Sequence, residues 1–375
     1  GYRSYSDGSP VNVGYSGSCW SCTPNSSNAY LLYFNSFGYV YPSISNPRAY
    51  GRSVRCLKEG SSTPPTETPK EYLNLSAEGT ANSYIVSQAG DYTFEAVKGN
   101  SSESVGDVAS VELLWESFGT DETPSVGDLV KEVSYSDGYI LFSTDEDFRE
   151  GNAVIAAKDA SGTILWSWHI WLTDQPQEQV YVNDKGTFTM LDRNIGAVRS
   201  DRGTGEQWRE SIGTYYQWGR KDPFYRYGFT SPRTQLSIEE SIALPTTVAA
   251  GSNPWTFQEE WDNNFWSIGQ KTIYDPCPVG YKVPPMDVWY GFSNTGENVN
   301  RTNNMNVSGS FDYGFNFIYD GSNVSWYPAT GRIGYWGENE EWNDRGRLWS
   351  AENNGWSSAY LNYYYVSVIE TELHI

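Results

Sequence analysis

Between residues 71 and 174 the chain alternates apolar and polar positions in short runs bounded by Gly, Asn, Asp and Ser. The pattern predicts strands at Ser83–Val86, Asp91–Ala96, Val111–Trp115, Leu129–Tyr135, Gly138–Ser143, Ala153–Lys158 and Ile164–Leu172. In the last run Ile164, Trp166, Trp168, Ile170 and Leu172 fall on one face. Ser167, His169 and Thr173 fall on the other, with Leu165 and Trp171 as its apolar exceptions. A period of two with one apolar face predicts a half-buried strand of an antiparallel sheet. Asp159-Ala-Ser-Gly162-Thr163 has the composition of a hairpin turn joining the last two runs.

Seven short strands in about 100 residues fit an immunoglobulin-like sandwich over residues 71–175. Upstream, residues 1–57 read as about three strands with Gly- and Ser-rich connections. Residues 58–70 include Gly60-Ser-Ser-Thr-Pro-Pro-Thr-Glu-Thr-Pro69, which has no apolar side chain other than proline and reads as a semi-rigid linker. Downstream, residues 176–375 open with a strand pair (Val180–Val182, Thr187–Asp192). A helix is expected around Gly205–Trp218 and a second between Tyr274 and Trp289, with a strand-rich end.

One stretch occurs twice. Gly17-Ser-Cys-Trp20 leading to Ala29-Tyr-Leu-Leu-Tyr33-Phe34 returns as Gly346-Arg-Leu-Trp349 leading to Ala359-Tyr-Leu-Asn-Tyr363-Tyr364. Ala29 aligns on Ala359, one inserted residue brings Trp20 onto Trp349, and Gly1-Tyr2-Arg3 falls on Gly331-Arg332-Ile333. Self-similarity fixes domain organisation before any propensity does. Residue 1 is therefore expected to lie inside a domain, with 1–57 the second half of a unit whose complete version is 176–375.

Composition narrows the function classes. Lys and Arg number 25 against 46 Asp and Glu, a net charge of −21, which disfavours nucleic acid and bare anionic membrane as partners. Aromatic residues make up 16% of the chain, with 16 Trp and 29 Tyr, which excludes disorder and favours β structure. No apolar stretch approaches the ~20 residues of a membrane span. Four cysteines are present. For Cys19-x-x-Cys22 a redox or metal motif lacks its second ligand pair or βαβ context, leaving a local disulfide or two free thiols. His169 and His374 are the only histidines, and neither sits in a catalytic or zinc motif, so a structural role is expected.

Three longer motifs carry a resemblance. They are Thr189-Met-Leu-Asp192-Arg193-Asn194-Ile-Gly196-Ala197, Gly213-Thr-Tyr-Tyr-Gln217-Trp218-Gly219-Arg220-Lys-Asp222-Pro-Phe224, and Tyr274-Asp275-Pro-Cys277-Pro-Val-Gly280-Tyr-Lys-Val283-Pro284. Together they resemble the Fibrobacter-type major paralogous domain of secreted and surface-anchored Bacteroidetes proteins, often fimbrillin-family proteins. Residues 1–56, ending Gly51-Arg-Ser-Val-Arg-Cys56, look like its C-terminal half, and the sandwich is similar to the domain that accompanies it. The resemblance implies an α+β, C-type-lectin-like and formylglycine-generating-enzyme-like fold flanking the all-β sandwich, an extracellular or outer-surface location, and no enzymatic activity. It also implies that Cys277 pairs with a terminal cysteine of the Cys56 type. The last copy ends Val366–Ile375 without that cysteine, so Cys56 and Cys277 are left without in-domain partners.

Other constellations read as structure. Cys19 and Cys22 do not match the paired cysteines of formylglycine-generating enzymes. Trp342-Asn343-Asp344 copies a calcium- and sugar-binding tripeptide, with Glu338, Glu340 and Glu341 nearby, yet a solvated acidic loop is expected, with calcium the alternative. Asp145, Glu146 and Asp147 read as a solvated turn. Asp192, Arg193, Asn194, Gln217, Trp218 and Arg220 read as a buried polar network fixing the core. The candidate ligand surface is aromatic and Asn-rich: Trp336, Trp342, Asn353, Asn354, Trp356, Tyr360, Asn362 and Tyr364. The expected function is an adhesin-like surface protein binding a glycan or a protein. The alternative is a subunit of a fimbria or other surface assembly, completed between chains by self-association.

Overall fold

The computed structural model describes residues 1–54, 70–120, 122–225, 230–233, 235–249, 255–295, 304–334, 337–354, 357–364 and 367–374, and from 353 onward strand pairing alone. Two compact units result, Gly1–Lys70 and Glu71–Ile375. The structure is β-rich, as composition predicts.

The runs read from alternation between 71 and 174 are all strands, shifted at their ends by at most two residues, and Leu73–Asn74 adds a short eighth. One four-stranded sheet runs Val130–Ser136, Tyr139–Thr144, Asp91–Glu95, Leu73–Asn74. The other runs Ser83–Val86, Ile164–Leu172, Gly151–Lys158, Ser110–Ser117. Two pairings are parallel, Leu73–Asn74 with Asp91–Glu95 and Ser83–Val86 with Ile164–Leu172, where alternation alone predicted antiparallel neighbours. Between the sheets lies an apolar cluster built on Phe94, Phe142, Ile155, Trp166, Trp168 and Ile170. Phe94 meets Trp168 edge-on at 5.3 Å, an arrangement that adds to the value of plain burial.

Strand Ile164–Leu172 departs from the half-buried expectation. Its polar face is as dry as its apolar one: Ser167 and His169 are 1% exposed, and Trp171 and Thr173 are fully buried. A buried polar group needs a partner: His169 finds its partners inside the sandwich, and Asn152, Ser167 and Trp171 find theirs in the downstream region. His169 Nε2 meets Asn152 Oδ1 at 2.9 Å while its Nδ1 meets Ser83 Oγ at 3.1 Å. Asn152 Nδ2 donates to Gly196 O at 2.9 Å, and the Trp171 indole donates to Ala197 O at 2.9 Å. Ser167 Oγ donates to Asp222 at 2.6 Å and accepts from Lys221 Nζ at 2.7 Å. Asn82, on the same sheet, donates to Ile273 O and Asp275 O at 2.7 and 2.9 Å and accepts the Trp166 indole at 3.0 Å. The motifs at 192–197, 218–224 and 273–277 are thus the lid of the sandwich.

Downstream, the expected helices are short turns of 3-10 helix, Gly205–Ser211 and Met286–Phe292, and the one α-helix described is Ile238–Ala243. Thr204 N donates to Gln207 Oε1 at 2.8 Å, starting the first turn; Gly213 at φ +79 follows it and limits its length. Aromatic packing fills the interior: Phe292 stacks on Phe317 at 4.2 Å, and Trp218 tilts against Trp266 at 5.7 Å. The chain ends in a three-stranded meander, Arg345–Asn354, Ser357–Tyr364 and Ser367–His374. Among the described residues no helix is long and apolar enough to cross a membrane.

The first unit repeats that end. Its strand pair Tyr2–Arg3 and Pro10–Val11 matches Arg332–Ile333 and Asn339–Glu340. Its meander Ser16–Asn25, Asn28–Asn35, Val40–Pro47 matches the terminal one in the length of every strand. A Cβ on Gly1 would sit 2.5 Å from Val11 O; one on Gly331 would sit 2.4 Å from Glu340 O. Trp20 pairs with Leu31 and Trp349 with Tyr360, with a bulge after each tryptophan. The two hairpins are equivalent, yet the aligned Ala-Tyr-Leu runs are one position out of step. The inserted residue is absorbed by register, not by a longer turn.

The unit is held by Arg52, whose guanidinium lies 4.7 Å from the Tyr2 ring centre and 5.4 Å from those of Trp20 and Tyr50. Burial lowers its pKa. Cys19 is half-buried, Cys22 is exposed, and both are free thiols. Cys277 is also a free thiol, its pKa pushed well above the ordinary value by burial; Cys56 lies outside the described residues.

Two predictions follow from the sealed face. Asn82→Ala leaves the Ile273 carbonyl and the Trp166 indole N–H without their partner, takes from Asp275 O the shorter of its two bonds, and is expected to cost about 2–4 kcal/mol in urea unfolding. A loss under about 0.5 kcal/mol contradicts the lid. Burial also pushes the His169 pKa down to about 3, against about 6.5 unfolded. The folded chain therefore favours the neutral ring, so this contribution is full above pH ~6.5 and declines as pH falls toward 3. Wild type should lose up to about 1.4 kcal/mol per pH unit more than His169→Gln in that window. Parallel stability–pH curves would refute it.

Candidate functional site: an aromatic and arginine ladder beside a cavity

Trp342 belongs to the loop that joins strand Asn339–Glu340 to the terminal meander. Its two neighbours take left-handed backbone, Glu341 at φ 55 and Asn343 at φ 63. The tight approach of Gly331 to Trp342 N fixes the loop from the other side. Trp342 leans on the buried Trp208 at 5.3 Å, and Trp208 stacks on Tyr313 at 4.9 Å and 11°. Arg209 lies 4.7 Å from the Trp342 ring centre and Arg202 lies 5.2 Å from that of Tyr313. Arg202 holds Asp312 with two contacts of 2.9 and 3.2 Å, and Arg209 pairs with Glu206 at 2.8 Å. Such cation–π contacts contribute ~0.5–1 kcal/mol each at exposed sites.

The acidic residues of this loop face arginines. Glu340 meets Arg332 at 2.8 Å, and Glu341 meets Arg347 at 2.6 Å and Arg345 at 3.4 Å. Among the described residues no group of three or more His, Cys, Asp or Glu converges on one point. Asp145, in the other acidic turn, pairs with Lys131 at 3.0 Å.

Behind the ladder lies a cavity of about 640 Å3 in the Glu71–Ile375 unit. Ile212, Tyr215 and Trp326 belong both to its wall and to the cluster under Trp342. Its polar lining includes Arg193, Asn194, Gln217, Arg332 and Arg347. Arg193 holds Asp192 at 2.8 Å and Thr173 at 3.2 Å, and it also pairs with Asp174; burial works against its charge and those carboxylates more than compensate, raising its pKa. Asn194 donates to Ile212 O at 3.0 Å, and Gln217 to Ala249 O at 2.9 Å. Arg220, lowered to about 10 by burial, donates to Gln217 Oε1 at 2.9 Å and Thr247 O at 2.8 Å. These side chains hold the wall in shape, and a pocket of this size with few polar groups is the geometry of a small-ligand or side-chain site.

Register connects the predicted surface to that wall. Arg347 and Trp349 line the cavity, and across the strand pair Asn362 stands opposite Arg347, Tyr360 opposite Trp349 and Tyr364 opposite Arg345. Asn353 and Asn354 pair with Ser358 and Ser357 at the far end of the same hairpin. Trp336 and Trp356 lie outside the described residues. Sequence reasoning missed Trp208 and Arg209 on the 3-10 helix Gly205–Ser211, Arg202 just before it, Tyr313 just before strand Gly314–Ile318 and Arg332 on its short strand, which are far apart in sequence and meet only in the fold. Comparison with protein-family models, with curated proteins and with solved structures finds no match.

Proposed function

We propose that the chain is a non-enzymatic, adhesin-like binding protein, displayed outside the cell, that takes a glycan at the cavity edge formed by the terminal hairpin. The observation that carries this reading is the register that sets Tyr360 and Asn362 beside the cavity-lining Trp349 and Arg347, with the Trp342 ladder adjoining. Aromatic rings offer flat apolar faces to sugars, and Arg and Asn supply directional bonds to hydroxyls. The C-type-lectin-like fold implied by the sequence motifs supports the same reading. Both ring nitrogens of His169 are taken up by Asn152 and Ser83 inside the sandwich, which supports the non-enzymatic reading. The second reading, a subunit of a surface assembly, draws on the exposed apolar side chains of the first unit, Phe34 and Val40 among them.

A glycan array probed with the whole chain tests the proposal. At least one glycan should bind, with Tyr360→Ala and Trp342→Ala each weakening it by about tenfold or more while circular dichroism shows each variant still folded. A blank array from folded protein, or binding indifferent to both variants, overturns the glycan reading. Concentration-dependent oligomers would support the assembly subunit.

A further inference from the structure

The first unit and the terminal meander are the same object in two settings. In the terminal copy all three strands pack against the short helix Met286–Phe292. Leu348 sits against the aromatic cluster of Trp289, Phe292, Phe317 and Tyr327. Within the bulge, Ser350 accepts the Trp289 indole on Oγ at 2.7 Å, and Ala351 N donates to Pro284 O at 2.9 Å.

Pairing register carries each of these positions into the first unit. Trp20 corresponds to Trp349, so Cys19 corresponds to Leu348, Ser21 to Ser350 and Cys22 to Ala351. The Trp-Ser dipeptide is identical in both. Cys19 pairs with Leu32 and Gly17 with Phe34, and Phe34 pairs with Val40, which places the four apolar groups on one face. Within this unit that face is open: Leu32 is 38% exposed, Phe34 45% and Val40 63%. Ser21 and Cys22 are exposed as well, whereas Ser350 and Ala351 are buried. Small proteins seldom leave so many contiguous apolar side chains open without a partner.

We propose that the Leu32, Phe34 and Val40 face of the first unit, with Ser21 at its edge, is a docking site for a polypeptide segment of the Met286–Phe292 kind. The occupant is a short turn of helix led by two prolines and carrying a tryptophan and a phenylalanine three residues apart. Its rings cover the open face, its indole N–H is accepted by Ser21, and a carbonyl before the helix accepts the Cys22 amide. Met286–Phe292 is itself covered by the terminal meander of its own unit, so the occupant is another segment of that kind. The inference is independent of the glycan reading.

The test titrates the whole chain into a fluorescein-labelled peptide of residues 280–293 and reads anisotropy. Saturable binding is expected. Val40→Glu and Ser21→Ala, both at exposed positions that leave the fold intact, should weaken it by about tenfold and about threefold, and Val126→Glu, in an exposed loop of the other unit, should leave it unchanged. A peptide with Trp289→Ala should lose most of its affinity. Failure of the peptide to bind, or equal binding by all variants, overturns the proposal. Sedimentation velocity on the chain alone separates the remaining occupant: self-association abolished by Val40→Glu would assign the face to a second copy and overturn the helical-segment assignment.

Discussion

A strand that presents tryptophans on one side and Ser, His and Thr on the other can leave its polar side wet or must seal it with partners. Strand Ile164–Leu172 is sealed on both sides, and the rest of the Glu71–Ile375 unit is arranged around that condition. His169 is held by Ser83 and Asn152 within the sandwich; Asn152, Ser167, Trp171 and Thr173 are matched by groups from 192–222, while Asn82 reaches 273–275. Removing one partner from such a set leaves others unsatisfied in a dry setting, so the set acts as a unit. The lid therefore fixes where the downstream loops begin and end, and those loops hold the cavity.

Tryptophan is the recurring means of attachment. Trp166 bonds Asn82, Trp171 bonds Ala197, Trp218 and Trp289 both reach Ser350, Trp326 reaches Ser211, and Trp349 reaches Tyr216. Each ring buries a large apolar area while its single N–H ties one element to another. The high aromatic content thus substitutes for long helices: the downstream region is built from loops and short turns pinned by indoles, and the meander that closes it brings Ser350 under two of them.

Much of this was legible in the sequence, for identifiable reasons. The sandwich strands could be read because alternation is a local signal, and the repeat because identity at Trp20 and Trp349 survives at a distance. The polar face of Ile164–Leu172 was misread as solvated, since alternation reports polarity and not what covers it. The helices were overestimated because Gly213 and the prolines near Met286 shorten segments whose apolar spacing looks helical. At the candidate site Trp342, Tyr360 and Asn362 were found from composition, whereas Trp208, Tyr313 and Arg209 come together only through tertiary contact. The register of the repeat was also hidden: alignment favours Ala29 on Ala359, while strand pairing matches Leu31 to Tyr360.

Hydrogen exchange read by mass spectrometry tests the central claim most directly, on peptides covering 164–173, 192–198, 216–224 and 271–277. If the sealed face joins sandwich and lid into one cooperative unit, the slowest amides of all four segments open with the same free energy and the same denaturant dependence. Exchange of 192–198 and 271–277 at much lower free energy, with 164–173 still fully protected, would show a sandwich that keeps its polar face dry without the lid and would contradict the account.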